Sequence, residues 1–169
     1  MDSAALRAMQ APYKDKYKSD PNAAVITLKA HGTLDESKIA CKVETGRALA
    51  VAGLHPATGG SGAELCSGDM LLEALVACAG VTLKAVATAL EIPLKSGTVR
   101  AEGDLDFRGT LGVDKEAPVD FREIRLSFDL DTDAPQDKID SLIKLTERYC
   151  VIFQTLNKPP KLGLTVNRV

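Results

Sequence analysis

Four cysteines and two histidines are the residues of this chain best suited to act as nucleophiles, redox centres or soft metal ligands. The cysteines are Cys41, Cys66, Cys78 and Cys150; the histidines are His31 and His55. No C-x-x-C or H-x-x-x-H pair occurs, so the spacing does not point to zinc. Thiol chemistry needs a thiolate, and a thiol buried in apolar surroundings is inert unless something stabilises its anion. What matters is which sulfurs point inward, which can meet, and where a cation can come from.

Cys78 lies near the middle of "LLEALVACAGVTLKAVATAL" (71–90). The pattern predicts a helix from about Asp69 to Glu91, roughly 35 Å long, with Ser67 or Asp69 as its cap. Glu73, Ala77, Gly80, Lys84, Thr88 and Glu91 form one narrow stripe, and the rest is apolar or nearly so. Such a helix belongs inside a protein. Cys78 sits about 100° from the stripe, in line with Leu71, Leu75 and Thr82. "DAPQDKIDSLIKLTERYCVIFQTLN" (133–157) predicts a second helix, with Asp133 as N-cap and Pro135 in the first turn. Ile139, Leu142, Ile143, Thr146, Tyr149, Cys150 and Phe153 share its apolar face.

Cys78 and Cys150 thus both point inward from helices, 72 positions apart. Free cysteine is among the most buried residue types, so packing alone accounts for either sulfur. A chemical role requires activation. Cys78 is too deep in its helix for the macrodipole, which fades within one turn. Arginine stays charged when buried and is the better cation. Arg47, ahead of the glycine-rich loop, and Arg148, near Cys150, are the candidates. Cys66 lies in the loop; Cys41 reads as strand core.

The remaining elements frame these helices. Residues 1–21 read as a polar arm with a short helical piece at Ala4–Gln10, and 22–169 as one domain. Strands are expected at Ala24–Ala30, Lys38–Val43 and Arg47–Val51, with turns in "HGTLDES" and "ETGR". "LHPATGGSGAELCSGD" is a glycine-rich loop, but it matches neither G-x-x-x-x-G-K-[ST] nor G-x-G-x-x-G. "TVRAEGDLDFRG" and "FREIRLSFDLD" alternate cleanly. Val99, Ala101, Leu105 and Phe107, and Ile124, Leu126, Phe128 and Leu130, are set against polar residues that include Asp104, Asp106 and Arg108. "LGLTVNR" reads as a closing strand.

The formal net charge is −2, and no basic run provides a nucleic-acid or anionic-membrane footprint. An acid follows Met1 and no apolar block of signal-peptide type appears. Glu73 and Lys84 interrupt the one long apolar stretch, which argues against a span. These features predict a cytoplasmic protein without structural disulfides.

Two segments bear a resemblance. "SGDMLLEALVACAGVTLKAVA" is similar to a signature with an acidic residue, an apolar run and a cysteine in a long helix. "LTERYCVIFQTLNKPPKLGLTV" is similar to "E-x-x-C-P-V-x-x-T-L" followed by a final strand. Together they resemble the osmotically inducible protein C and organic hydroperoxide resistance (OsmC/Ohr) family over about residues 22–169. The resemblance implies an α+β fold in which antiparallel or mixed sheets pack on two long cysteine-bearing helices of an intertwined homodimer. It implies thiol peroxidase activity on organic hydroperoxides, with no cofactor. Cys78 matches the peroxidatic cysteine, which becomes a sulfenic acid, and Cys150 the resolving cysteine, which condenses with it to a disulfide. A dithiol, in characterised members often a lipoyl group, then reduces that bond, as a reversible sulfenate requires.

Three positions depart from the family pattern. Asp69 stands in for the acid that orients the activating arginine, with Glu64 as a second candidate. Arg47 comes later than the family's arginine. Val151 replaces the proline after the second cysteine, so the helix need not bend at Cys150. The competing expectation is a non-enzymatic module that holds a small hydrophobic ligand in a dimer cavity lined by redox-inactive cysteines. A third is attack of Cys78 on an electrophile without disulfide formation. The geometry to look for is Cys78 beside Cys150, with Cα atoms closer than about 7 Å for a disulfide, and a guanidinium near the first sulfur.

Overall fold

A computed structural model describes residues 3–34, 41–43, 53–63, 66–166 and 168. Its described strands form one antiparallel sheet in the order β2-β1-β3-β4: β1 Val25–Leu34, β2 Cys41–Val43, β3 Ser96–Asp106 and β4 Phe121–Asp131. β1 runs further than the expected Ala24–Ala30, so His31–Leu34 continues the strand where a turn was expected. The segments Lys38–Ala40 and Arg47–Val51, the "ETGR" turn and the Cys41 side chain lie outside what is described.

β3 and β4 form where the alternation placed them, and Val99 and Ala101 are fully buried. The expected outward face fails at one residue. The β3–β4 register slips between Asp104 and Leu105, where Asp104 pairs Glu123 but Leu105 pairs Phe121. Past this bulge the alternation no longer holds. Asp106 turns inward, 2% exposed, and caps a short helix α3 (Phe107–Thr110) by accepting the Arg108 N–H at 3.1 Å. The Arg108 guanidinium donates to the same carboxylate at 2.6 Å from Nη2 and holds it well below its usual range. Arg108 is therefore the partner of a buried charge and not part of a wet face.

One long helix lies against the inner side of the sheet, and a second packs on it. α2 spans Ser67–Ala89. Cys66 takes the cap position, without a side-chain bond, so neither Ser67 nor Asp69 caps the helix. By length and composition α2 could cross a membrane, but Leu72, Leu75, Val76 and Leu83 are sealed into the core. A fully buried leucine contributes about 1.5–3 kcal/mol each. The helix ends in a Schellman turn: Ile92 N–H bonds Ala87 O at 2.9 Å and Glu91 N–H bonds Thr88 O at 3.2 Å. Glu91 takes the left-handed φ of 54° there.

α4 (Gln136–Tyr149) begins later than expected, capped by Pro135 and not by Asp133. It stops at Cys150, although Val151 replaces the expected proline. Cys150 adopts φ −71°, ψ 106°, and α5 (Val151–Asn157) restarts from it. The reason is local. Cys150 Sγ accepts the Phe153 N–H at 3.5 Å, so the thiol does for α5 what a serine hydroxyl does at an ordinary N-cap.

Two terminal expectations change. α1 spans Ser3–Ser19, well beyond Ala4–Gln10, with Pro12 inside it. It is docked on the body: Tyr17, 2% exposed, packs in a small second core with Ala24, Phe107 and Leu111 and donates its hydroxyl to Ala57 O at 2.6 Å. The expected closing strand is not formed. Residues 159–166 have no regular structure, and Leu162, Leu164 and Val166 are 90%, 93% and 76% exposed. A strand needs a neighbouring edge for its backbone groups, and this segment pairs with none among the described residues.

Candidate functional site

The two inward sulfurs meet. α2 packs against both α4 and α5, and the Cys78 and Cys150 side chains are neighbours, close enough for the Cys78 sulfur to act on the Cys150 thiol. Cys150 is 1% exposed at the α4–α5 break, while Cys78 is only partly buried. Burial above all pushes the Cys150 thiol up to about 11, and the neighbouring sulfur of Cys78 adds to this. The Phe153 N–H, second only to burial in its effect, works in the opposite direction. Cys150 therefore keeps its proton at neutral pH, and its S–H can donate to Cys78 Sγ.

The expected cations fare differently. Arg47 and Glu64 lie outside the described residues. Arg148 is exposed, with its guanidinium 5.5 Å from the centre of the Tyr149 ring, and Tyr149 is itself exposed. It is thus on the solvent side of α4 and not at Cys78. Arg100 pairs with Asp129, and Arg125 with Asp104 at 2.7 Å and Glu123 at 3.2 Å.

Asp69 sits in the first turn of α2, nine residues before Cys78 and so about 13.5 Å from it along the helix axis. His55 lies near enough to feel its charge. Burial raises the Asp69 carboxyl, and the nearby His55 opposes that rise. Burial lowers the His55 imidazole, and Asp69 opposes that. Glu73, one turn on, is raised by burial and by the charge of Asp69. His55 accepts the Ala57 N–H on Nδ1 at 3.0 Å, and its ring stacks on Phe107 at 4.8 Å. Nothing in the sequence pattern signalled this His55–Asp69 pair, because the loop conformation decides it. Gly59 closes the Pro56–Thr58 turn at φ 90°, and a Cβ on Gly60 would strike Leu54 O at 1.7 Å. These two glycines serve the backbone path of the loop.

A cavity adjoins Cys150, and a second lies beside it. One of about 210 Å³ is lined by Leu126, Phe128, Ile143, Thr146, Glu147, Cys150 and Phe153. A larger one, of about 780 Å³, shares Leu126 and Phe153 with it and runs past Leu71 and Leu75 to the C-terminal segment at Leu162. Cys66 is partly buried at the start of α2, away from both linings. Among the described residues no three His, Cys, Asp or Glu side chains are grouped to hold a metal ion.

The arrangement resembles known folds. The chain is similar to an OsmC-like hydroperoxide resistance protein from Jannaschia sp. CCS1, with a TM-score of 0.60 at 18% identity, covering 86% of this chain and 97% of that one. It is also similar to an OsmC-like protein from Mycoplasma pneumoniae, with a TM-score of 0.55 at 16% identity, covering 80% and 86%. No curated protein matches the sequence. The family model for OsmC-like proteins matches residues 60–165, which holds both cysteine helices and well over half of the chain, and on that match the chain belongs to the OsmC-like family.

Proposed function

We propose that the protein is a thiol-dependent peroxidase that reduces organic hydroperoxides in oxidative stress defence. The observation that carries this is the juxtaposition of Cys78 and Cys150, brought together from separate helices, with a largely apolar cavity at Cys150. The Cys78 thiolate attacks the terminal oxygen of ROOH. The O–O bond breaks, Cys78 becomes a sulfenic acid, and the alkoxide takes a proton and leaves as ROH. Cys150 then attacks the sulfenic sulfur. An S–S bond forms, the S–O bond breaks, and water leaves with the Cys150 proton. A dithiol, such as a lipoyl group on a partner protein, restores both thiols by exchange.

The division of labour follows from the environments. Cys150 is held neutral by burial, which suits a resolving thiol that waits beside the neighbouring sulfur. We assign thiolate stabilisation to Arg47 and its orientation to Asp69. Asp69 cannot touch Cys78 in its own chain, so its role runs through a guanidinium between them or across a subunit interface. The working form is a homodimer in the cytoplasm. The bare Leu162, Leu164 and Val166 and the 40% exposed Val81 on α2 support a covering second copy.

A second reading is favoured by the largely apolar cavity of about 780 Å³: a module that binds a small hydrophobic ligand, with redox-inactive cysteines. One experiment separates the two. Purified protein is treated with cumene hydroperoxide and then mapped by mass spectrometry, and turnover is measured with a dithiol reductant. A Cys78–Cys150 disulfide, with turnover abolished in Cys78→Ser, is expected. Four free thiols after treatment would exclude the peroxidase.

A further inference from the structure

The cavity beside Cys150 contains an anomaly. Thr146 is 1% exposed and its Oγ1 has no hydrogen-bond partner. A helical hydroxyl ordinarily bonds a carbonyl one turn back. Thr88 does so to Lys84 O at 2.8 Å, and Ser141 to Asp137 O at 2.9 Å. Thr146 makes no such bond, in a position where valine would pack with the same shape and no orphaned polar atom. Its side chain lines the cavity of about 210 Å³, room for roughly seven non-hydrogen atoms at the ~30 Å³ a water occupies. Leu126, Phe128, Ile143 and Phe153 make the walls apolar. The polar groups are the Thr146 hydroxyl, the protonated Cys150 thiol and the carboxylate of exposed Glu147. With no cation among the described lining residues and an acid beside it, the cavity disfavours anions.

We propose that this cavity binds a small neutral molecule with an apolar body and one terminal hydroxyl or hydroperoxyl oxygen, which hydrogen-bonds Thr146 Oγ1. Rotation about χ1 cycles the threonine hydroxyl, methyl and hydrogen through the three staggered positions and so can present the oxygen to the cavity. The proposal rests on the peroxidase reading for the origin of such molecules: ROOH and its product ROH share the apolar body and the oxygen. The sulfur in the lining is Cys150 and not Cys78, so the site is beside the attacked position and distinct from it.

The test is a titration of the reduced full-length protein with 1-hexanol, followed by NMR of the Leu126, Ile143 and Thr146 methyls. A parallel titration uses tert-butyl hydroperoxide on Cys78→Ser. Saturable shifts at these methyls are expected, with affinity kept in Thr146→Ser and weakened about 3- to 10-fold in Thr146→Val, the value of one hydrogen bond. Thr146→Val should melt no lower than the parent, and Thr146→Ala carries the same comparison should it not fold. Binding of both probes marks a site shared by substrate and product; binding of hexanol alone marks a product site. Either supports the proposal. Absence of saturable shifts at these methyls with both probes, or Thr146→Val binding hexanol as tightly as the parent, overturns it. Hexanol binding needs no redox chemistry, so this result and hydroperoxide turnover can fail independently.

Discussion

Cys150 offers a sharp test of how burial governs this site. Its thiol is held up to about 11 against an ordinary 9.0, and desolvation is the leading cause. At pH 8 the thiolate fraction is then about one in a thousand in place of about one in ten, a difference near 100-fold in the reactive species. The same shift is a statement about stability. The folded value lies above the unfolded one, so the contribution is fully present below pH 9 and is lost as pH rises through about 11. Two pKa steps correspond to about 2–3 kcal/mol. Two assays read it. Site-resolved iodoacetamide labelling of Cys150 should titrate with a midpoint near 11. Denaturant unfolding at pH 8 and pH 10.5 should show a larger alkaline loss in wild type than in Cys150→Ala. Because desolvation outranks the neighbouring sulfur, Cys78→Ser should leave the midpoint above 9. A labelling midpoint at or below 9 in wild type would refute the argument that burial keeps this thiol protonated.

Other consequences concern the frame around the site. Glu91 holds a left-handed φ of 54° at the end of α2, so Glu91→Gly should stabilise by about 0.5–1 kcal/mol in urea unfolding. The Asp106 carboxyl is depressed by Arg108, so its contribution is present above about pH 4 and lost as pH falls further. Asp106→Asn should lower the melting temperature at pH 7 and converge with wild type at pH 2. His55 is lowered from 6.5 by burial, so its stabilising contribution fades as pH falls below that value. His55→Phe should flatten that loss between pH 7 and 5 in thermal melts while keeping the ring stack on Phe107. Tyr17→Phe, which strips the hydroxyl from Ala57 O, should cost about 1 kcal/mol by chemical denaturation.

Periodicity alone settled much of this protein. Alternation in β3 and β4 and the all-round apolar character of α2 put Val99, Ala101, Leu72 and Leu83 inside, because strand and helix geometry fix which side chains share a face. The same geometry turned Cys78 and Cys150 inward, and the resemblance in their flanking residues suggested which family they belong to. Three-dimensional packing decided what periodicity cannot encode. One slipped register buried Asp106 and made Arg108 its partner. A sulfur acting as helix cap broke the chain at Cys150 without a proline. The loop conformation brought His55 within reach of the Asp69 charge, and the docking of α2 on α4 and α5 made neighbours of two thiols 72 residues apart. Local sequence fixes directions along each element; the distances between elements come only from how their faces pack.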